Sequence, residues 1–194
     1  MKKQPERTAQ TKAALSDAFW SLYRVKPIEK ITVKEVADGA GVYRSTFYLY
    51  FNSIYDILAE IEADVLDEWE GMFKENFLNG TGGSSDIVSI AASFFETKGE
   101  YLAVLLSPAG DPSFAQNIKD NLRQKGYSLL KIEDNTEIRL IYEFFLSGIL
   151  GLLSRWFREG KPISAVQAAT LSRRMMSENI IDIVREHSAV QFSL

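Results

Sequence analysis

Apolar residues recur along the chain at the spacing of an α-helix. The clearest early case is Leu15, Ala18, Phe19, Leu22 and Tyr23, which share one helical face because side chains at i, i+3, i+4, i+7 and i+8 line up. No alternating stretch of useful length predicts a strand. The pattern predicts an all-α protein with helices at about 7–25, 32–39, 43–50, 53–77, 85–97, 100–106, 112–130, 135–159 and 164–187.

Two short helices follow the first helix closely. Thr32 and Glu35 have the spacing of a capping box, which begins a helix, and Gly39-Ala40-Gly41 ends that helix within two turns. The next helix carries Phe47 and Phe51, four residues apart, on its inner face. Two short helices joined by a glycine-containing turn predict either a helix-turn-helix motif or a plain αα-corner inside a helical bundle.

The first turn of the second short helix has residue types that suit contact with DNA. Arg44 can make a bidentate contact with a guanine edge, whereas Ser45 and Thr46 can reach bases or phosphates. The candidate DNA-contacting residues are Thr32, Lys34, Val42, Tyr43, Arg44, Ser45, Thr46, Tyr48 and Tyr50.

The charge distribution also sets this N-terminal segment apart from the rest of the chain. Residues 1–55 contain nine Lys and Arg against five Asp and Glu, whereas the rest contains 13 against 21. A basic segment attached to an acidic body suits binding to a phosphate backbone, because a uniformly acidic protein would be repelled. Asymmetry of this size also arises by chance.

Composition removes several classes of site. The 194 residues include no cysteine and one histidine, His187, which argues against disulfides, thiolate metal sites, histidine-based metal clusters and Ser/His/Asp triads. We expect no metal and no cofactor. The polar N-terminal segment lacks the apolar core of a signal peptide, and the longest apolar run, around 144–153, is shorter than the roughly 18 residues of a membrane span. We therefore expect a cytoplasmic protein without a membrane partner.

The segment 31–51 resembles the DNA-binding domain of the tetracycline-repressor (TetR) family of bacterial transcription regulators. The matching positions are Ile31, Thr32, Val36, Ala37, Ala40, Gly41, Val42, Thr46, Phe47, Tyr48, Tyr50 and Phe51. The sequences of residues 44–48, 145–151 and 156–162 are similar to those of one branch of the family, which includes coactivators of dihydroxyacetone metabolism. One position departs from the family: Ile54 stands where a Lys is usual, so a phosphate contact is missing there.

The resemblance implies a two-domain homodimer. Residues 1–52 would form a three-helix DNA-binding domain, and residues 53–194 would form a helical domain for effector binding and dimerisation. The partners would be double-stranded operator DNA, a second copy of the chain and a small-molecule effector.

The predicted helix at 53–77 would connect these domains. Its acidic residues include Glu60 and Asp64, one turn apart, which allows a cation site or an acid/base pair as well as a solvated acidic face. Without histidines or a phosphate-binding loop nearby, we favour the solvated face and expect no catalytic residue.

The body is rich in aromatic residues, which can line an effector pocket or simply fill the core. The candidate effector-binding residues are Trp69, Phe73, Phe94, Tyr101, Leu105, Phe114 and Phe145. The lack of an obvious buried charged cluster favours a mainly apolar or aromatic effector.

Two apolar stripes on the last long helices predict a four-helix dimer interface, although intramolecular packing explains either stripe separately. The candidate interface residues are Gly148, Ile149, Leu152, Trp156, Met176, Ile180 and Ile183. Gly148 and Gly151 lower helix propensity, which suggests that another segment packs closely there.

The sequence therefore predicts a homodimeric DNA-binding transcription regulator, a repressor, controlled by a small molecule. The alternative is a coactivator of the same fold that docks a protein and does not itself read DNA. An enzyme is the third hypothesis.

Overall fold

The computed structural model describes residues 5–79, 84–130 and 134–175. Within these ranges the helices are α1 (Pro5–Tyr23), α2 (Val33–Gly39), α3 (Arg44–Phe47), α4 (Ile54–Asn79), α5 (Ser84–Thr97), α6 (Gly99–Leu105), α7 (Pro112–Leu130), α8 (Thr136–Arg158) and α9 (Ala165–Met175). A short 3-10 turn, Ile28–Lys30, lies between α1 and α2. The all-α prediction is confirmed. The chain divides into two compact units, Met1–Val65 and Leu66–Leu194.

The largest difference from the predicted elements concerns α3, which was expected at 43–50. The regular helix ends at Phe47, because the following backbone tightens: Leu49 N–H donates to Thr46 O and Tyr50 N–H donates to Phe47 O, three residues back in each case. The 3-10 turn after Pro27 was not predicted. The predicted end of the last helix, at 187, lies outside the described residues.

The first unit is built around large apolar side chains with no exposed surface. Leu15 and Phe19 of α1 are fully buried, as are Phe47 of α3 and Ile57 of α4. Phe19 stacks on Tyr23 at 5.5 Å, and Phe47 contacts Phe51 at 5.8 Å between ring centroids. The apolar face predicted for α1 is therefore a core face.

The first three turns of α4 belong to this same core. Its buried apolar residues up to Val65 recur at helical spacing and are Ile54, Ile57, Leu58, Ile61 and Val65. The compact units consequently divide between Val65 and Leu66, inside the helix, whereas the sequence predicted a domain boundary after residue 52. α4 contributes residues to both units.

The second unit has an aromatic core. Trp69 of α4 lies edge-on to Phe94 of α5 at 5.1 Å, and Phe95 contacts Trp156 of α8 at 6.0 Å. The Trp156 indole N–H donates to Ile163 O at 2.9 Å, so the polar atom of this buried ring is satisfied. Helix α5 packs against α9, and α8 packs against α6, α7 and α9.

Among the described helices, α8 is long and apolar enough to cross a bilayer by length and composition. The sequence prediction considered uninterrupted apolar runs and so did not single it out. One side of α8 supplies the buried residues Ile138, Leu146, Leu153, Trp156 and Phe157, while another side carries exposed apolar residues. Its total apolarity is therefore the sum of two separate faces.

The predicted capping box begins α2. The Thr32 hydroxyl accepts a hydrogen bond from Glu35 N–H at 3.3 Å, and the Glu35 carboxylate accepts one from Thr32 N–H at 3.0 Å. Lys26 Nζ lies 2.7 Å from Glu35 Oε1. The hydrogen bond from Lys26, followed by those from Thr32, lowers the pKa of Glu35 from 4.5 to about 2. Glu35 thus ties the segment after α1 to the start of α2.

Acid titration should reveal the stabilising interactions of Glu35 with Lys26 and Thr32. Because the folded-state pKa of Glu35 is depressed, its contribution to stability is fully present above about pH 4.5 and is lost as the pH falls through about 2. We expect the difference in melting temperature between wild type and Glu35→Gln to be constant above about pH 5 and to shrink between about pH 4.5 and 2. Thermal melts followed by circular dichroism measure it.

The matched control is Glu29→Gln, which neutralises an exposed carboxylate on the 3-10 turn. Glu35→Gln must show the larger difference from wild type at neutral pH. A Glu35→Gln difference that does not change with pH would contradict the assigned ionic interaction.

Candidate nucleic-acid interface

The turn between α2 and α3 has the backbone of a helix C-cap. Gly41 has a φ of +66°, the left-handed conformation that glycine adopts readily. Val42 N–H donates to Ala37 O at 2.9 Å, and Gly41 N–H donates to Asp38 O at 3.1 Å. These bonds end α2 and redirect the chain towards α3.

Gly39, at the end of α2, permits close packing against α1. A Cβ atom built on Gly39 would lie 3.1 Å from the Cβ of Ala18. Helix α2 packs against both α1 and α3. The arrangement of α2, glycine turn and α3 in a three-helix core is a helix-turn-helix motif.

Helix α3 separates a buried side from an exposed side within four residues. Phe47 has no exposed surface, whereas Tyr43, the N-cap residue, is 85% exposed and makes no side-chain cap hydrogen bond. Arg44, Ser45 and Tyr48 are exposed as well. Helix α3 and the two residues that flank it therefore present a guanidinium, a hydroxyl and two phenols to the surface.

The other predicted DNA-contacting residues lie in different environments. Lys34 is exposed on α2, and Val42, Thr46 and Tyr50 are half-buried. The Thr32 hydroxyl donates to Glu35 Oε2 at 2.9 Å and accepts from Glu35 N–H, so it is engaged in the capping box. Its structural role is to begin α2.

The start of α4 contains a polar cap that the sequence reading missed. The Asp56 carboxylate accepts hydrogen bonds from Asn52 N–H at 2.8 Å and from the Ser53 hydroxyl at 2.8 Å. These bonds, led by the one from Asn52 N–H, lower the pKa of Asp56. The Ser-x-x-Asp spacing of 53–56 was the available signal, because an acidic residue three positions after a helix-starting serine is a capping pattern.

Ile54, which stands at the position of the family's usual Lys, is 8% exposed and packs in the core of the first unit. An aliphatic side chain there is removed from water and offers no charge to a phosphate. Tyr55, the next residue, is exposed.

Glu60 and Asp64, the acidic pair noted in the sequence, lie in different surroundings. Lys12 Nζ lies 2.6 Å from Glu60 Oε1, and Asp64 is exposed. Within the described residues, no group of three or more His, Asp or Glu side chains could hold a metal ion. Glu60 instead links α4 to α1.

The candidate effector-binding residues of the second unit fall into two groups. Phe94, Leu105 and Phe114 are buried, whereas Trp69, Tyr101 and Phe145 are half-buried. Phe73 lies outside the residues whose side chains the structure describes. The half-buried residues are the ones that keep surface for a ligand.

Polar groups also enter this unit, and they were missed because their partners are distant in sequence. Asn121 Nδ2 of α7 donates to Glu70 Oε1 of α4 at 3.0 Å, whereas the buried Asn121 Oδ1 has no hydrogen-bond partner in the described chain. Tyr127 lies edge-on to Tyr142 at 5.2 Å, and burial, with a smaller effect from Tyr127, raises the pKa of Tyr142 to about 12. Helical periodicity cannot pair α4 with α7.

The predicted dimer-interface residues also differ in their exposure. Trp156 is 4% exposed and packs in the core of its own unit, which leaves little of its surface for a second copy. Ile149 and Leu152 are half-buried, and Gly148 is exposed. Met176, Ile180 and Ile183 lie outside the described residues. The exposed apolar residues of α8 are instead Leu140 and Phe144.

Two family models match the chain. Residues 12–61 match the model described as bacterial regulatory proteins, tetR family, and residues 85–178 match the model of a transcriptional regulator C-terminal region from the same family. The first match covers the helix-turn-helix motif, and the second lies within the second unit.

Individual relatives agree with these matches. The chain is 22% identical over 146 residues to the HTH-type transcriptional repressor KstR2 of Rhodococcus jostii (strain RHA1), covering 75% of this chain and 65% of that protein. A TetR transcriptional regulator from Streptococcus agalactiae 2603V has a similar structure, with a TM-score of 0.65 and 26% identity over 88% of this chain and 95% of that one.

The dihydroxyacetone kinase operon activator DhaS is a more distant structural neighbour, with a TM-score of 0.54 and 14% identity over 92% of this chain and 98% of that one. At this identity the likeness concerns the fold alone. Membership in the dihydroxyacetone branch therefore stays a prediction.

Replacing Gly41 should destabilise the first unit even though a Cβ there would meet no atom within 4 Å. The cost comes from the φ of +66°, so we expect Gly41→Ala to lower the free energy of unfolding by about 1–2 kcal/mol. Gly41→Asn should lose less, because Asn tolerates this conformation better. Chemical denaturation measures both variants, and equal losses would contradict backbone strain as the cause.

Proposed function

The chain belongs to the TetR family of bacterial transcriptional regulators, and we propose that it is a cytoplasmic, sequence-specific DNA-binding repressor that acts as a homodimer under the control of a small-molecule effector. In this proposal it is a regulator rather than an enzyme. Its DNA partner is a double-stranded operator with two half-sites related by the dimer axis.

The exposed first turn of α3 is the observation that carries this proposal. It combines a guanidinium that can read a guanine edge with hydroxyl groups that can bind bases or phosphates, and no large apolar side chain separates them from solvent. Buried Phe47 holds this turn on the core. Lys34, exposed on α2, supplies a sequence-independent phosphate contact.

The alternative function is a coactivator that binds a protein and does not read DNA. Its specific support is Ile54, which removes a cationic group from the start of α4. A selection of bound sequences from a random DNA pool distinguishes the two, because a coactivator of this kind would enrich no sequence.

An exposed apolar row on α8 and α9 supports the homodimer. On α8 it contains Leu140 and Phe144, the latter 77% exposed, followed at helical spacing by Gly148 and Gly151. Val166, Leu171 and Met175 extend exposed apolar surface onto α9, which packs beside α8. A Cβ atom on either glycine would meet nothing within 4 Å among the described residues, so those residues do not explain why the two positions are small. A second copy of the chain packed against this exposed row would explain it.

Helix α4 supports coupling between effector and DNA. Trp69 of α4 lies in the second unit among the candidate effector residues, while Ile57 of the same helix lies in the core of the first unit. A ligand changes DNA affinity only if it binds the DNA-competent and DNA-incompetent states differently, and a continuous helix with residues in both units is suited to carry that difference. Trp69 and Tyr101 favour an aromatic ligand.

Arg44→Ala should weaken binding to the selected best site by about 1–3 kcal/mol and relax its specificity, because a bidentate base contact is lost. Lys34→Ala should weaken binding to all sequences similarly and reduce the salt slope by about one. Fluorescence anisotropy titrations on selected and random duplexes over a range of salt concentrations measure both effects.

The control for charge loss is Lys74→Ala, which removes an exposed cation late in α4 and should leave DNA affinity near wild type. If Arg44→Ala costs the same on selected and random DNA, Arg44 does not read bases. If the wild-type protein enriches no sequence from the pool, DNA recognition itself is rejected.

Replacing the two glycines of α8 tests dimerisation, because a solvent-facing helix and a helix packed in an interface predict different effects. On a solvent-facing helix, Gly148→Ala with Gly151→Ala should stabilise the protein by about 0.5–1 kcal/mol per site through helix propensity. In a packed interface the added methyl groups hold the helices apart, so we expect the double variant to weaken dimerisation at least about tenfold, or about 1.4 kcal/mol. Sedimentation equilibrium measures the dissociation constant.

Gly71→Ala is the matched control, since Gly71 is exposed on α4 and a Cβ there also meets nothing within 4 Å. It should leave dimerisation unchanged. Phe144→Glu, which would bury an unpaired charge in the interface, should give a folded monomer. Dimers of unaltered affinity in both α8 variants would place the interface elsewhere.

A further inference from the structure

Arg44 and Tyr48 form a pair along one side of α3. Arg44 Nη2 donates a hydrogen bond to the Tyr48 hydroxyl at 3.1 Å, and the guanidinium carbon lies 5.7 Å from the centroid of the Tyr48 ring. The two residues are one helical turn apart, which is the spacing at which side chains on a helix meet. The contact therefore needs no bound DNA to form.

Tyr48 is the more firmly held partner. Its ring lies edge-on to Phe47 at 5.5 Å with an interplanar angle of 82°, and Phe47 has no exposed surface. Its backbone N–H donates to Thr46 O at the end of α3. Arg44 is exposed and has a long side chain, whose freedom must be lost when it binds a base edge. A contact with a fixed phenol removes part of that freedom beforehand.

The donors and acceptors of the pair are compatible with simultaneous DNA contacts. The Tyr48 oxygen accepts from Arg44, so its own O–H remains able to donate to a phosphate oxygen. The guanidinium uses one of its five N–H groups on Tyr48, which leaves enough donors for a bidentate contact with guanine.

We propose that Tyr48 is a positioning residue for Arg44: its hydroxyl holds the guanidinium on the exposed side of α3 and couples the base contact of Arg44 to a phosphate contact of its own. This inference rests on the proposed DNA-reading function. It adds that base readout depends on a phenol that touches no base.

The test is a double-mutant cycle with Tyr48→Phe, which keeps the ring and its contact with the guanidinium face but removes the hydroxyl. On the selected site, Tyr48→Phe should weaken binding about tenfold in the wild-type background and at most about threefold in the Arg44→Ala background, because only the phosphate contact of the hydroxyl is then left to lose. On random DNA its effect should be at most about threefold. Anisotropy titrations at one salt concentration give all four dissociation constants.

Tyr43→Phe is the matched control. Tyr43 is also an exposed candidate contact of the same turn, so its loss can weaken binding, but its effect and that of Arg44→Ala should add. Additive effects of Tyr48→Phe and Arg44→Ala would overturn the proposal. Equal losses on selected and random DNA for Tyr48→Phe would overturn it too, because Tyr48 would then be a phosphate contact only.

Nuclear magnetic resonance of the DNA-free protein tests the pair independently. Rotation of the Arg44 Nη2 group should be several-fold faster in Tyr48→Phe than in wild type and unchanged in Tyr43→Phe, since only the former loses the accepting hydroxyl. Unchanged rotation in Tyr48→Phe overturns the proposal. Restricted rotation in a wild-type protein that selects no DNA sequence would instead reject the proposed function, and with it the role of the pair in reading DNA.

Discussion

The burial of Phe47 is the interaction on which the exposed surface of α3 depends. A helix of four residues has almost no stability of its own, because the cost of nucleating it is recovered only over several further turns. Phe47, fully buried and in contact with Phe51, supplies the tertiary packing that holds α3 in place. The residues at the start of α3, Arg44 and Ser45, remain exposed. The Tyr48 ring packs edge-on against Phe47, so its placement depends on that side chain.

Hydrogen bonds and ion pairs of two carboxylates also stabilise the first unit. Glu35 binds both the first turn of α2 and Lys26, and Asp56 binds the residues that lead into α4. Both carboxylates lie near helix N-termini, where negative charge is favoured, and both stand beside hydrogen-bond donors that keep them ionised. The first unit can thus use these acidic residues for its own hydrogen bonds while presenting Arg44 and Lys34 to solvent.

Helix α8 illustrates how one apolar sequence serves two purposes. Its core side carries Trp156, which packs among Phe95 and Phe157 and satisfies its indole N–H within the same unit. Another side carries Phe144 and two glycines with open space before them. Mean hydropathy counts the residues of both sides, which is why α8 is apolar enough to suggest a membrane span. Only the separate directions of the two sides distinguish a core face from an exposed apolar surface.

The sequence by itself determined the features that depend on neighbouring residues: the helical class, most helix boundaries, the Thr32–Glu35 capping box and the glycine turn before α3. These follow from periodicity and backbone preference, which act over about one or two helical turns. It could not decide whether Trp156 or Phe144 faces outward, that Ile54 is buried, or that Glu70 meets Asn121 from 51 positions away. Those outcomes depend on which helices pack together. An apolar side chain reads the same in sequence whether its partner is its own core or another molecule, and only the tertiary structure decides which surface remains exposed.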